Sequence, residues 1–216
     1  MPLLKEVQHK KHIIWDWNGT ILNDIDHAIS TMNDILKTQE LPSIGKKRYK
    51  EIFTFPVKDY YDTLGFDYSK RSFEDLAHEF VDNYMAGFKD CYPFAKIKNT
   101  LEKVKETGKT QSILSATDQE SLDEMMEHFD FKDLFKHVFG INDKLAHSKV
   151  YRGKELIETS GFDRADTILI GDTLHDKEVA EELGIDVLLV THGHQCEKIL
   201  SGAHDRVIDI FNYAPA

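Results

Sequence analysis

Cysteine is almost missing from this chain of 216 residues, with Cys91 and Cys196 the two present. Two thiols cannot build a disulfide framework, and a reducing cytosol is the expected setting. A hydrophobic run of membrane-span length is also missing, and the N-terminal segment MPLLKEVQHKKH holds no apolar stretch suited to a signal peptide. The expectation is a soluble, cytoplasmic protein that does not associate with membranes. Positive charge is in deficit, with 27 Lys and Arg against 38 Asp and Glu, a formal balance of −11. A phosphate-backbone binder needs a basic face, so nucleic acid is not an expected partner. Small anionic substrates remain compatible, because a metal ion or one local lysine reverses the field inside a single pocket. Low-complexity tracts and internal repeats are lacking as well. What is present is an ordinary globular composition, 41% hydrophobic and 30% charged, which excludes disordered and fibrous chains. The length suits one well-buried domain with room for a small insert, as a monomer or homodimer.

Short continuous apolar runs recur along the chain: Ile13-Ile14-Trp15, Ser112-Ile113-Leu114, Thr167-Ile168-Leu169-Ile170 and Val187-Leu188-Leu189-Val190. Continuity without alternation is the pattern of strands covered on both faces of a parallel sheet. Weaker strand candidates are His137-Val138-Phe139 and Arg206-Val207-Ile208. Helical spacing fills the intervals, as in Ile97, Leu101, Val104 and in Leu122, Met125, Met126, Phe129. Tyr151, Glu155, Leu156 and Val179, Ala180, Leu183 read as further helix faces. The alternation implies right-handed crossovers and a doubly wound, mainly parallel α/β sheet.

From residue 24 to residue 90 the pattern is helical with no convincing strand, a block too long for an ordinary crossover. Ile25, Ala28, Ile29, Met32, Ile35, Leu36 form one amphipathic face, and Phe73, Leu76, Ala77, Phe80, Val81, Tyr84, Phe88 a second. This block reads as an all-helical cap, 24–90, inserted into an α/β core of residues 1–23 and 91–216. The aromatics between its two faces, from Tyr49 to Tyr61, read mostly as the cap's own small core.

Ligands of open α/β sheets bind beyond the carboxyl ends of the strands. The first strand ends at Asp16, within Trp15-Asp16-Trp17-Asn18-Gly19-Thr20. The second ends at Ser115, followed by Ala116-Thr117-Asp118 and a helix start suited to an anion. Lys149 opens a later helix after the polar Ala146-His147-Ser148, and the third strand runs into Gly171-Asp172-Thr173-Leu174-His175-Asp176. A carboxylate can attack phosphorus, a hard divalent cation neutralises both anions, and a hydroxyl and a lysine hold the transferring oxygens.

In these motifs the chain resembles the haloacid dehalogenase superfamily, in its helical-cap, phosphoglycolate phosphatase-like branch. The resemblance implies a Mg²⁺-dependent hydrolase of a small phosphorylated metabolite that works through an aspartyl-phosphate. It implies Asp16 as nucleophile, and Mg²⁺ held by Asp16, the Asn18 backbone oxygen, Asp172 and Asp176. Lys149 (rather than Lys154), Ser115, Ala116, Gly19 and Thr20 are the implied partners of the phosphoryl group. Phosphatases of this family usually carry a second aspartate two residues after the nucleophile as general acid and base. Here Asn18 stands there, and an amide cannot deliver a proton. That loss is worth about 10²–10⁴ in rate, and restoring Asn18→Asp is expected to help alkyl phosphates most. Two alternatives follow. One is a phosphonoacetaldehyde hydrolase-like C–P hydrolase, in which a cap lysine, Lys58, would form a Schiff base. The other is a catalytically weak phosphate-binding protein. His192-Gly193-His194-Gln195-Cys196 reads as a polar loop rather than a metal site, His175 as an exposed bystander rather than a surrogate proton carrier, and Trp17 as a shield over the site.

Overall fold

The computed structural model describes residues 2–142 and 148–211. A six-stranded sheet forms its centre, built from β1 (His12–Trp15), β4 (Thr110–Asp118), β5 (His137–Ile141), β6 (Thr167–Gly171), β7 (Asp186–Val190) and β8 (Val207–Ile208). The order across the sheet is β5-β4-β1-β6-β7-β8, with every pairing parallel. β1 therefore lies between the β4 and β6 neighbours, and its carboxyl end opens onto the middle of one sheet edge.

The continuous apolar runs have the expected cause. Successive side chains of β1 alternate between two clusters, Ile13 and Trp15 in one and Ile14 in the other. β6 repeats this with Ile168 and Ile170 against Leu169. One face is covered by α6 (Ile97–Glu106) and α7 (Gln119–His128) through Leu101, Val104, Leu122 and Met125. The other is covered by α8 (Val150–Ser160) and α9 (Leu174–Leu183) through Leu156, Ile157, Val179 and Leu183. Full burial of one such side chain contributes about 1.5–3 kcal/mol, so both layers are needed for strands of this composition. α1 (Pro2–Glu6) adds Leu3 to the first cluster, and α10 (Glu197–Ala203) adds Leu200 to the second.

Between β1 and β4 the chain leaves the sheet through β2 (Leu22–Asn23) and returns through β3 (Tyr92–Pro93). These two strands pair antiparallel, Leu22 with Pro93 and Asn23 with Tyr92, as a ribbon beneath the helical block. The block holds α2 (Ile25–Thr38), α3 (Lys46–Ile52), α4 (Val57–Leu64) and α5 (Phe73–Gly87) around its own cluster, which includes Ile29, Met32, Leu36, Tyr61, Phe73 and Leu76. Ser72 caps α5 by accepting a bond from the Asp75 N–H at 3.0 Å.

Three local expectations are corrected. The face of α8 is Gly153, Leu156, Ile157 and Ser160, while Tyr151 lies on the opposite, exposed side. β4 does not stop at Ser115 but continues to Asp118, with a register shift against β5 between Leu114 and Asp118. That irregularity spans Ser115-Ala116-Thr117, where a bulge changes which face each side chain meets. Trp17 is fully buried beside Phe129 and Phe131, and its Nε1 meets Met125 Sδ at 3.2 Å. It is core rather than a shield, because the chain turns back toward the apolar layer directly after Asp16.

Candidate active site

Asp16 follows β1 directly, and its backbone N–H still bonds Ile170 O at 2.9 Å. The parallel pairing thus extends one residue past the strand and fixes the carboxylate at the sheet edge. Lys149, at the N-cap of α8, reaches the same point from the far side. Its Nζ lies 2.5 Å from Asp16 Oδ1 and 2.7 Å from Asp176 Oδ1, and donates to Leu114 O at 3.1 Å. Lys154, one turn further, is exposed. Ala146 and His147, read as part of the loop before Lys149, lie outside the described residues.

Asp172 and Asp176 follow β6. Asp172 Oδ1 accepts the Thr20 hydroxyl at 2.7 Å, and its Oδ2 accepts the His194 N–H at 2.6 Å. Asp176 closes a capping box on α9, its Oδ2 accepting both the N–H and the hydroxyl of Thr173 at 3.0 and 2.8 Å. Two glycines permit this closeness. Gly19, at φ 72, sits where a Cβ would strike the Asp172 carboxylate and the His194 ring. A Cβ on Gly193 would strike the same carboxylate.

Asp16, Asp172 and Asp176 each bring an oxygen within 4.8 Å of the others, all buried. Burial raises Asp16 to about 8, against the pull of Lys149 and with the push of Asp176 and Asp172. Burial likewise raises Asp172 to about 6, with Asp176 adding to it and His194 opposing. Burial also pushes Asp176 upward, but Lys149 outweighs it and holds this group below the usual carboxylate range. One lysine among three buried carboxylates leaves negative charge uncompensated. An all-oxygen donor set of this kind suits a hard divalent cation such as Mg²⁺.

Asn18 has a full set of partners. Its Nδ2 donates to Asp24 Oδ2 at 2.8 Å and to Tyr84 Oη at 2.9 Å, and its Oδ1 accepts the Thr117 hydroxyl at 2.7 Å. Asp24 occupies the N-cap position of α2 without capping it. Its carboxylate instead accepts the Gly19 N–H at 3.0 Å and the Tyr84 hydroxyl at 2.7 Å, and pairs with His194 Nε2 at 3.2 Å. Burial opposes ionisation of Asp24, yet His194 and the bonds from Asn18 and Tyr84 hold it below its ordinary value. Burial would lower His194, but Asp24, with Asp172 and Asp16 further off, raises it to about 9. His194 Nδ1 meets Tyr49 Oη at 2.8 Å. Sequence reasoning missed Asp24 and His194. The signal for His194 was its place in a glycine-containing loop directly past the carboxyl end of β7, next to the strand that carries Asp172.

Above these groups lies a cavity of about 180 Å³, lined on one side by Asp16, Ser115, Ala116 and Lys149 and on the other by helices α2–α5. Ser115 is buried and its Oγ accepts the Thr117 N–H at 3.1 Å. Gly19 and Thr20 are committed to Asp24 and Asp172, so their expected phosphate contacts are replaced by a supporting role. Lys58 is corrected outright. It is half-exposed, pairs with Asp62 at 2.9 Å one turn away, and is not part of the lining, which holds no lysine from residues 24–90, so the cap supplies no lysine for the Schiff-base alternative. The aromatics Tyr49, Phe53 and Tyr60 line the cavity as well as filling the core of the helical block, and Phe55 lines the cavity. The start of α7 is closed by Asp118, whose Oδ1 accepts the Ser121 N–H at 3.1 Å. His175 is buried and stacked on Phe55 with ring centroids 4.5 Å apart, and burial, then Lys149, lowers its pKa.

A family model described as haloacid dehalogenase-like hydrolase matches residues 13–190. A curated relative named as a probable phosphatase, IndB, of Dickeya dadantii is 24% identical, with 94% of this chain and 91% of that protein covered. A phosphoglycolate phosphatase of Aliivibrio fischeri is 25% identical over 56% of this chain and 54% of its own length. Among solved structures, a haloacid dehalogenase-like family hydrolase from Streptococcus pneumoniae superposes with a TM-score of 0.80 at 20% identity, covering 94% of this chain and 95% of that one. At that identity the likeness shows the fold alone. Among the described residues no helix is long and apolar enough to cross a membrane.

Proposed function

This chain belongs to the haloacid dehalogenase-like hydrolase family, and from that premise we propose that it is a phosphatase of a small phosphate monoester, with Asp16 as nucleophile. The observation that carries the reading is the convergence of Asp16, Lys149 and the Asp172/Asp176 pair at one cavity. Asp16, Asp172, Asp176 and the Asn18 backbone oxygen are the groups that would hold Mg²⁺, which when bound supplies positive charge to the carboxylates and the phosphoryl oxygens. Lys149 orients Asp16 and offers its ammonium to the transferring oxygens. The Ser115 hydroxyl lines the same wall and can donate to them. The Thr20 hydroxyl and the His194 N–H hold Asp172 in place, and Gly193 leaves room for its carboxylate. The helical block 24–90 acts as a cap that keeps bulk water from the cavity.

The test is phosphate release from a panel of monoesters with Mg²⁺, together with intact mass after a rapid acid quench. A mass gain of one phosphoryl group in the native chain, missing in Asp16→Asn, supports the nucleophile. Turnover with no adduct in the native chain, and undiminished in Asp16→Asn, would sink it.

A further inference from the structure

The cap wall of the cavity is aromatic and apolar, with Phe53, Phe55, Tyr60, Phe80, Val81 and Met85 among its lining and no lysine or arginine. Among the described residues, the positive groups that face the cavity are already paired, Lys149 with Asp16 and Asp176, and His194 with Asp24. On this wall a leaving group that carries a second anion, such as a carboxylate, would meet buried aromatics and Asp24, with no cap lysine or arginine to receive it. Tyr60 is 2% exposed and its hydroxyl has no partner, so this wall offers a spare polar group that is neutral. The volume limits the leaving group to about one ring. An apolar cavity of about 150 Å³ takes up benzene, and the whole cavity here, with its phosphoryl end at Asp16, Ser115 and Lys149, is about 180 Å³.

Asn18 bears on the same question independently. Its amide cannot give a proton to a departing oxygen, and both of its donors are committed to Asp24 and Tyr84. An alkoxide leaves badly without that proton, whereas a phenolate leaves without it.

We infer that the substrate is an aryl phosphate, a phosphate monoester of a phenol whose leaving group carries no charge beyond the phosphoryl group and whose ring sits on the Phe53, Phe55 and Phe80 wall. The inference rests on the phosphatase reading and narrows it. An Asp16 oxygen bonds to phosphorus as the bond from phosphorus to the ring oxygen breaks, and the electron pair leaves with that oxygen as phenolate, which takes its proton from solvent. Water then attacks the phosphorus of the acyl phosphate. The Asp16 carboxylate is released, and both protons of the water leave with dihydrogen phosphate.

The experiment compares kcat/KM of the native chain, with Mg²⁺, for phenyl phosphate, cyclohexyl phosphate, acetyl phosphate and phosphoglycolate. Phenyl phosphate should lead each of the others by at least about tenfold, cyclohexyl phosphate failing for its poor leaving group and acetyl phosphate for its missing ring. Phosphoglycolate or acetyl phosphate equal to or above phenyl phosphate overturns the aryl inference while the phosphatase reading stands. Phosphate release from none of the four overturns the phosphatase reading itself. Calorimetry supplies a readout without turnover, in which phenylphosphonate should bind more tightly than phosphonoacetate, and the reverse order overturns the inference. Val81→Lys, checked for folding by circular dichroism, should narrow the phenyl phosphate to phosphoglycolate ratio by about tenfold through its new charge. An unchanged ratio in a folded variant counts against this wall as the specificity surface.

Discussion

Asp16 and Asn18, two residues apart, have different fates under substitution. Asp16→Asn removes the nucleophile from a nearly isosteric side chain, so phosphate release should fall to background while the far-UV spectrum is kept. Turnover that persists in material shown by mass to be free of deamidation would place the nucleophile elsewhere. Asn18→Asp looks as mild on paper, and from the sequence it promises a gained general acid. The structure sets it against Asp24, whose Oδ2 is 2.8 Å from the Asn18 amide nitrogen. The new carboxyl would lose a donor and face an ionised neighbour, at a cost of about 1–3 kcal/mol. Repulsion raises its folded pKa above the unfolded value, so its destabilisation is small in acid and grows as pH rises. Thermal melts at about pH 5 and about pH 8 should show the deficit widening at the higher pH, and an equal deficit at both would discount the Asp24 contact. Asn18→Asp with Asp24→Asn restores one donor and one carboxyl. In that double variant kcat for cyclohexyl phosphate should rise, within about 10²–10⁴, if the proton is what the native site lacks.

Among the elements, the loop after β7 joins the most parts. Within it the His194 N–H holds Asp172, Gln195 Nε2 donates to Phe53 O at 2.8 Å, and Gln195 Oε1 accepts the Leu174 N–H at 2.8 Å. The Cys196 N–H reaches Lys50 O at 3.1 Å. One short loop therefore ties α9, the helical block and a candidate metal ligand together. Gly193→Ala places a methyl against the Asp172 carboxylate, so that either the loop or the carboxylate must move. Mg²⁺ affinity by calorimetry should weaken by about tenfold or more, and an unchanged affinity would mean that the loop does not support the metal site. The strands and helices around this loop were legible from local runs, such as Ile168-Leu169-Ile170 for β6 and Ile97, Leu101, Val104 for α6. The face of α8 was not, because Gly153 and Ser160 carry no hydrophobic signal and serve there as close-packing residues. Gly153 abuts Leu183 and Leu114. The bulge in β4 was hidden for a related reason, since it depends on how β5 pairs rather than on any residue within β4.

At the scale of the whole molecule, buried charge couples stability to pH and to metal. Asp16 is raised to about 8 and Asp172 to about 6, both above the value of an unfolded aspartate. The stability associated with these groups is present at low pH and is lost as pH rises through about 6 and about 8. A divalent cation that binds the ionised carboxylates should restore it. Saturating Mg²⁺ should raise the melting temperature by roughly 5–10 °C in mildly alkaline buffer, from about 3 kcal/mol at a hundredfold excess over Kd. The rise should be much smaller in mildly acidic buffer, where protons compete. An equal rise at both pH values, or one retained in Asp172→Ala, would argue that Mg²⁺ acts at another place.

Sequence alone determined the layered α/β architecture, the helical block, and the groupings at three strand ends and one helix start. Each of these rests on local rules: both-face burial makes a continuous apolar run, helical spacing marks one buried stripe, and chemistry collects past the carboxyl ends of strands. Asp16, Asp172, Asp176 and Lys149 were readable because each is tied to such a strand end or helix start. What only the tertiary structure decided depends on distant pairs. Asp24 and His194 lie 170 positions apart in a chain of 216, and neither carries a local mark that names the other. The same holds for Lys58, which a motif-like setting placed near the site and a helical turn placed beside Asp62. It holds most for Asn18. The sequence shows an amide where an acid is customary, and only the packing of Asp24, Tyr84 and Thr117 around it shows that the amide is the group those neighbours fit. Local pattern encodes which face of an element is apolar, whereas the partner of a buried polar atom is set by whichever segment the fold brings within hydrogen-bonding reach.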